Sequence, residues 1–306
     1  MRAFVAILFS LVAATATATE LGHAETSLPR DGGVTGGLLI TGALLSLIQV
    51  DRNHLWQSEL LSLDEPVKRN FSIDAAHLSD ITVNIAVVLP VATLFSGHFD
   101  RPYGDSMLLY AQALAGSFAL NAVAKYTVQR PRPYNYSDDP AIRKWATEQG
   151  GDSHVSFYSG HSAMSFTAAV AAATLLASHS DDYNARAVVW GVGLGLASFT
   201  AGMRVRAGRH YISDVAIGAV LGAGMGFAIP YLHAARPQDG WHTQEFVGIA
   251  GGLLLGSLGA ALMHRQRDIL QPLDTPKQSQ LLRLPKLHWA PTVVDGRLGL
   301  ALGAVF

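Results

Sequence analysis

Seven apolar segments recur along this 306-residue chain, at about 35 to 50, 81 to 96, 106 to 124, 162 to 178, 186 to 202, 213 to 232 and 246 to 263. They constrain the fold more than any other feature, because runs of this length read as helices and leave little room for a sheet. The segments are rich in Ala, Gly and Leu. Small residues let helix backbones approach closely, as Gly218, Gly222, Gly224 and Gly226 do in the sixth segment. Gly191 to Gly195 fall inside a segment and read as packing positions, not as a nucleotide loop. Several segments are only 16 or 17 residues long and carry polar residues such as Asn84, Gln112 and Asn121, so buried core helices and membrane-spanning helices both fit. Composition does not separate the two: 49% of residues are hydrophobic against 15% charged, and mean hydropathy is +0.24. The expected architecture is all-α, a helical bundle with about six to seven apolar helices.

The formal net charge is −1, with no basic tract, which gives no hint of a nucleic-acid partner. The chain has no cysteine, so disulfides, thiol catalysis and cysteine metal sites are excluded. At the N-terminus, Met1-Arg2 precedes an apolar run from Ala3 to Ala14 and small residues through Ala18, the pattern of a secretory signal peptide over residues 1–18. A short uncleaved anchor is the alternative reading. Both direct the chain to the cell envelope. The domain expectation is a signal peptide at 1–18, a helical domain at 30–264 with its motif core at 106–232, and a tail at 265–306. In the tail, Asp295-Gly296 separates two alternating stretches and predicts a short β-hairpin.

Two polar insertions interrupt the helices, residues 51 to 80 and residues 125 to 160, and three short motifs border the second. The first runs from Lys125 to Pro133. Pro131 and Pro133 force Arg130 and Arg132 into extended conformations, and a stiff arm ending in a planar guanidinium suits bidentate binding of phosphate oxygens. A basic helix end followed by a proline-rich loop reads the same way. The second is Phe157-Tyr158-Ser159-Gly160-His161-Ser162, just before a helix. Gly160 permits close approach of the backbone to a ligand, the first N–H groups of the helix point at any anion there, and His161 is placed as a general acid. Ser159 or Ser162 serves equally as an N-cap. The third runs from Arg204 to Asp214. His210 and Asp214 are four apart, so on a helix they share a face and the carboxylate holds one ring nitrogen, leaving the other as a nucleophile. Asp214 also suits a helix N-terminus. Fixed positive charge, aligned donors, a nucleophile and an acid are what phosphoryl transfer needs.

Together the motifs resemble the signature of the type 2 phosphatidic acid phosphatase and vanadium haloperoxidase superfamily: Lys-x6-Arg-Pro, Pro-Ser-Gly-His and Ser-Arg-x5-His-x3-Asp. Lys125, Arg132 and Pro133 match the first block, Ser159, Gly160 and His161 the second, and Arg204, His210 and Asp214 the third. Spacings of 25 and 42 residues separate the blocks. Two positions depart from the pattern: Tyr158 stands in place of Pro and Met203 in place of Ser.

The resemblance covers about residues 80 to 232. It implies that Lys125, Arg132 and Arg204 bind phosphate with the backbone N–H groups of Ser159 and Gly160, that His210 attacks phosphorus, that Asp214 orients it, and that His161 protonates the leaving group. It further implies a metal-independent hydrolase that needs no cofactor and acts on a lipid phosphate, of the phosphatidic acid, polyprenyl diphosphate or lipid A type, at a membrane. A soluble periplasmic acid phosphatase, a vanadium haloperoxidase and a noncatalytic phosphate binder are the alternatives. Arg130, Arg206 and Arg209 read as flanking charge, and most histidines outside the motifs as solvated, with no metal spacing among them. If residues 35 to 50 do not cross the bilayer, or if the helices form a membrane-associated periplasmic domain, the site faces the periplasm.

Overall fold

The computed structural model describes the side chains of residues 26–48, 50, 60–91, 104–237 and 239–263 and the backbone of 92–94, 103, 286–294 and 297–305. These residues form eight helices: α1 (Leu28–Ser46), α2 (Ile73–Leu94), α3 (Tyr103–Val128), α4 (Pro140–Glu148), α5 (Gly160–Ala177), α6 (Tyr183–Arg206), α7 (Ile212–Leu232) and α8 (Thr243–Met263). The boundaries follow from local chemistry. The Asp182 carboxylate accepts from the N–H groups of Asn184 and Ala185 to open α6, and Asp139 accepts from Ala141 to open α4, which also starts on Pro140. Six helices, α2, α3, α5, α6, α7 and α8, are long and apolar enough to cross a membrane.

The bundle is built around α5. Nearly all of its residues are buried, and α2, α3, α6 and α7 all pack on it. α1 lies against α3, and α8 against α6. Alanines of α5 and Leu109, Tyr110 and Ala113 of α3 form one core cluster; Phe166, Trp190 and Leu194 anchor another. Two seams bring backbones together. A methyl group on Gly218 would lie 2.7 Å from the Ser159 carbonyl oxygen and one on Gly226 would lie 2.6 Å from that of Thr167, while Gly222 meets the Ala163 carbonyl between them. Gly248, Gly252 and Gly256 of α8 meet the carbonyls of Ala187, Gly191 and Gly195 on α6 in the same way. Small residues every four positions thus fix both helix pairs, the device expected where lipid removes the hydrophobic drive between helices. Large apolar side chains such as Val88, Val220, Val247 and Leu254 point outward.

The ends of the bundle are distinct. The starts of α2, α5 and α7 and the ends of α3 and α6 share one end, with the three motifs; Arg206 donates to the Met263 carbonyl, which brings the end of α8 there too. At the far end, Arg186 is fully buried and gives its guanidinium to Glu245, Asp239 and the Gly240 carbonyl.

Several expectations change. The polar stretch 51 to 80 gives up its last eight residues to α2, because Ser72 caps the N–H of Ala75 and the buried Ser79 and the exposed Asp80 both accept from Arg204 at the motif end. Helix α4 was not expected; it forms on an Asp-Pro start. α1 runs the length of α3, with Asp31 against His233 at the far end and the Ser46 carbonyl accepting from Tyr126 near the motif end. Arg30 and Asp31 keep α1 out of the six apolar helices, yet residues 35 to 50 are not set aside from the bundle. His233 is buried against Asp31, not solvated, whereas His242 is part-exposed and stacks on Tyr183. The chain divides into a unit spanning Met1–Gln266 and another spanning Arg267–Phe306. The C-terminal hairpin is not supported: its turn, Asp295-Gly296, and every side chain beyond Met263 lie outside the described residues, as does the N-terminal signal segment.

Candidate active site

The three motifs are stitched together through the backbone. Ser156 N–H donates to the Arg130 carbonyl at 2.9 Å, Arg132 N–H to Ser153 at 2.9 Å, Tyr134 N–H to Gly208 at 3.3 Å and Ser159 N–H to Asp214 at 3.1 Å. Gly208 has φ +66 and sits directly against the Asn70 carbonyl, so both its conformation and its lack of a side chain are required. Lys125 ends α3, Arg204 ends α6, His161 opens α5, and His210 sits in the link between α6 and α7.

His210 is 1% exposed. Its Nδ1 donates to the Ser156 carbonyl at 2.7 Å, and the Nε2 lone pair lies 3.5 Å from Nη1 of Arg132. Burial, and then the positive charge of Arg132, Arg204 and Lys125, push its pKa well below the usual histidine range. The ring is therefore neutral, with its lone pair on Nε2.

The expected helical pairing of His210 with Asp214 takes another form. α7 starts only at Ile212, so the two residues are not on one helix face, and His210 Nδ1 is 3.9 Å from Asp214 Oδ2. The Ser156 carbonyl holds the ring instead. Asp214 accepts from Tyr211 N–H at 3.0 Å, from Ser156 Oγ at 2.6 Å and from Arg130 Nη1 at 2.6 Å. It thus caps α7, fixes Ser156, and leaves a negative charge one layer behind His210. Arg130 is buried between Asp214 and Asp64, whose oxygens also take Ser213 N–H and Oγ. Burial opposes ionisation of Asp64, but the Ser213 and Arg130 hydrogen bonds outweigh it and hold its pKa low. Arg130 is therefore a buried structural cation, not flanking charge.

The phosphate-binding candidates differ in how they are held. Arg132 donates Nε to the Asp152 carbonyl at 2.7 Å, Nη2 to the Asp152 carboxylate at 2.8 Å and Nη1 to the Arg209 carbonyl at 2.9 Å, which fixes it beside His210. Burial alone would raise the Asp152 pKa, but Arg132, Arg209 and Lys125 lower it. Arg209 also lies over the rings of Trp145 and Tyr134, at 5.0 and 5.6 Å, so α4 is tied to the site. Arg204 donates Nη1 to Ser79 Oγ at 3.2 Å and to Asp80 Oδ1 at 3.3 Å, while its Nε is buried without a partner among the described residues. Ser159 N–H is already spent on Asp214, and Ser159 Oγ caps α5 by accepting from Ser162 N–H at 3.3 Å. Among the described residues, the free donors at the start of α5 are thus the N–H groups of Gly160 and His161, and not that of Ser159. Gly160 is pressed on Asn121: an added methyl would lie 2.8 Å from Asn121 Oδ1, and Asn121 Nδ2 donates to the Tyr158 carbonyl at 2.8 Å.

His161 is half-buried, and its Nε2 is 2.7 Å from Asp80 Oδ1. Around the site, Lys125, Arg132, Arg204 and Arg209 face the carboxylates of Asp80 and Asp152, an excess of positive charge suited to an anion. Among the described residues, no group of three or more His, Asp or Glu could hold a metal ion.

Sequence reading did not find Ser156, Asp64, Asp80, Asn121 or Asp152. Asp80 and Asn121 carried a usable signal, since a polar or ionisable residue within an apolar helix calls for a functional reason. Ser156 acts largely through its backbone carbonyl and carried none. The two departures from the family pattern are both buried packing residues: Tyr158 lies beside Asn121, and Met203 packs on Ala75 and Ala76 of α2.

Residues 106–238 match the family model described as the PAP2 superfamily. No curated protein and no solved structure matches the chain. Superfamily members are phosphatases and phosphoester hydrolases, and the six apolar helices fit membrane association. The motif constellation and the match over the helices that carry it agree: residues 106–238 of this chain match the PAP2 superfamily, the type 2 phosphatidic acid phosphatase superfamily.

Proposed function

We propose that the protein hydrolyses phosphomonoesters or diphosphates of lipids through a phosphohistidine on His210. The observation that carries this reading is the pairing of a neutral, buried imidazole, whose Nδ1 is tied to the Ser156 carbonyl, with a guanidinium 3.5 Å from its other nitrogen. Nε2 attacks phosphorus as the bond to the leaving oxygen breaks. The electron pair departs on that oxygen, which takes a proton from His161. Arg132, Arg204, Lys125 and the α5 amides neutralise the equatorial oxygens, the service that metal ions give in other phosphatases. Positive charge then builds on the phosphorylated ring, and the Asp214 carboxylate behind it offsets that charge. Water attacks phosphorus, gives its proton to His161, and the N–P pair returns to His210.

The lipid character of the substrate is inferred from the six apolar helices that carry the site. Purified wild-type protein and His210→Asn should be assayed for phosphate release from long-chain and water-soluble phosphate esters in chelator. Wild type is expected to favour the long-chain esters and to form an acid-labile phosphoenzyme. His210→Asn should lose turnover by roughly a thousandfold or more, with no phosphoenzyme. Near-native turnover by that variant would sink the mechanism.

We further propose an envelope location with the site facing the periplasm. Because α1 begins at the far end of the bundle, an embedded α1 then requires a cytoplasmic start, which a cleaved export signal ahead of it does not allow. An alkaline phosphatase reporter after residue 145 decides: activity supports the outward site, and its absence supports export of the segment before α1 with the site inside.

A further inference from the structure

Asp80 lies in the second turn of α2, outside residues 106–238 that carry the family match, and within a helix apolar enough to cross a membrane. A carboxylate in such a helix is costly unless it faces partners. It has two, both on motif residues, and both through one oxygen: Oδ1 is 2.7 Å from His161 Nε2 and 3.3 Å from Arg204 Nη1. Ser79, the preceding residue, accepts from the same Arg204 nitrogen. A carboxylate accepts hydrogen bonds, so the proton on His161 sits at Nε2 and the second ring nitrogen, Nδ1, is left for the substrate.

We propose that Asp80 is the positioning residue for the acid. It fixes the ring of His161 so that Nδ1 delivers the proton, and it anchors one arm of Arg204 while Nε stays available to the phosphate. The proposal rests on the phosphohistidine reading. In the forward step, His161 carries protons on both nitrogens; Nδ1–H passes to the leaving oxygen as it takes the P–O electron pair, and Nε2–H stays on Asp80. In the second step, water returns a proton to Nδ1. A carboxylate that merely occupied the anion site would do the opposite and compete with substrate for Arg204 and His161. The geometry points away from that, because Arg204 Nε has no partner among the described residues.

The test compares an alkyl phosphate, whose alkoxide needs a proton to leave, with 4-nitrophenyl phosphate, whose nitrophenolate leaves without one. Asp80→Asn should lower kcat/KM, which reports the first step, on the alkyl phosphate by at least about tenfold, part of the 10²–10⁴ that a general acid contributes. The second step is common to both esters and enters kcat alone, so kcat/KM on the nitrophenyl ester should stay within about threefold of wild type. His161→Asn should show a larger loss on the alkyl ester, and Asp80→Glu should recover part of the alkyl activity. Retained nitrophenyl turnover also shows that Asp80→Asn is folded. Equal losses on both esters, no loss on either, or a lower KM with a higher kcat would each overturn the proposal. His210→Asn separates the two levels: if it keeps turnover, the phosphohistidine reading fails whatever Asp80→Asn does.

Discussion

The two ends of this bundle each bury an arginine among carboxylates, yet they do different things with it. At the far end, Arg186 donates from Nε, Nη1 and Nη2 to Glu245, Asp239 and the Gly240 carbonyl, and Trp190 closes the set on Glu245. Every side of that guanidinium is used. At the motif end, Arg204 shares a single nitrogen with Ser79 and Asp80 and keeps Nε unpartnered, while positive groups outnumber negative ones around His210. A closed set of partners is a clamp between helices. An open set is a site that waits for an anion. Burial of charge alone does not tell them apart; the tally of donors does.

The comparison can be broken at either end. The largest effect should come from Arg186→Met, which strands Glu245 in the interior and should lower unfolding stability by about 3–5 kcal/mol. Its kcat, measured well below the unfolding midpoint, should match wild type; a selective loss of kcat there would mean that the far end is no mere clamp. Next comes Arg204→Gln, which removes a charged donor from the anion site. It should lower kcat/KM by about a hundredfold or more, with the unfolding midpoint nearly unchanged. A fall in stability without a fall in activity would reverse the assignment of the two ends.

The smallest effect concerns pH. The folded pKa of His210 is depressed, so the ring stays neutral as pH falls through 6.5, where a free histidine takes up a proton. The acid limb of kcat/KM that belongs to this group therefore lies below pH 6.5. Removing the positive charge in Arg132→Gln raises that pKa and should move the limb upward, by up to about one pH unit. Substrate ionisation is common to both proteins, so the difference between the profiles reports the enzyme. An unmoved limb would show that the charge of Arg132 plays no part in depressing His210.

Much of the bundle was legible because hydrophobicity and small residues are written locally. All seven apolar segments became helices, and the mid-helix glycines at 191 and 195 became a seam with α8. The three motifs carried their own spacing. Their geometry was less legible, because it depends on groups that leave no pattern. The atom that holds His210 is a carbonyl, which any residue could supply at position 156. The four-residue spacing of His210 and Asp214 suggested a shared helix face, but Tyr211 intervenes as the N-cap and turns His210 off the helix. Ser159 looked like a backbone donor, yet Asp214 had already claimed its N–H through the fold. Asp64 and Asp80 lie more than sixty residues before the residues they serve, and nothing nearby in sequence announces the pairing.

The α5–α7 seam has a consequence for how the protein meets bilayers of different thickness. His161 opens one helix of the pair and His210 precedes the other, and between them the chains touch carbonyl to glycine at Gly218, Gly222 and Gly226. Such a contact leaves no flexible side chains to cushion a gradual slide, so the helices can change their offset only by jumping a full turn, about 5.4 Å. A thinner or thicker membrane must then be met by tilting the bundle as a body. The distance between acid and nucleophile is insulated from the lipid, so turnover by this protein in short-chain and long-chain vesicles should differ through substrate access and not through the chemistry.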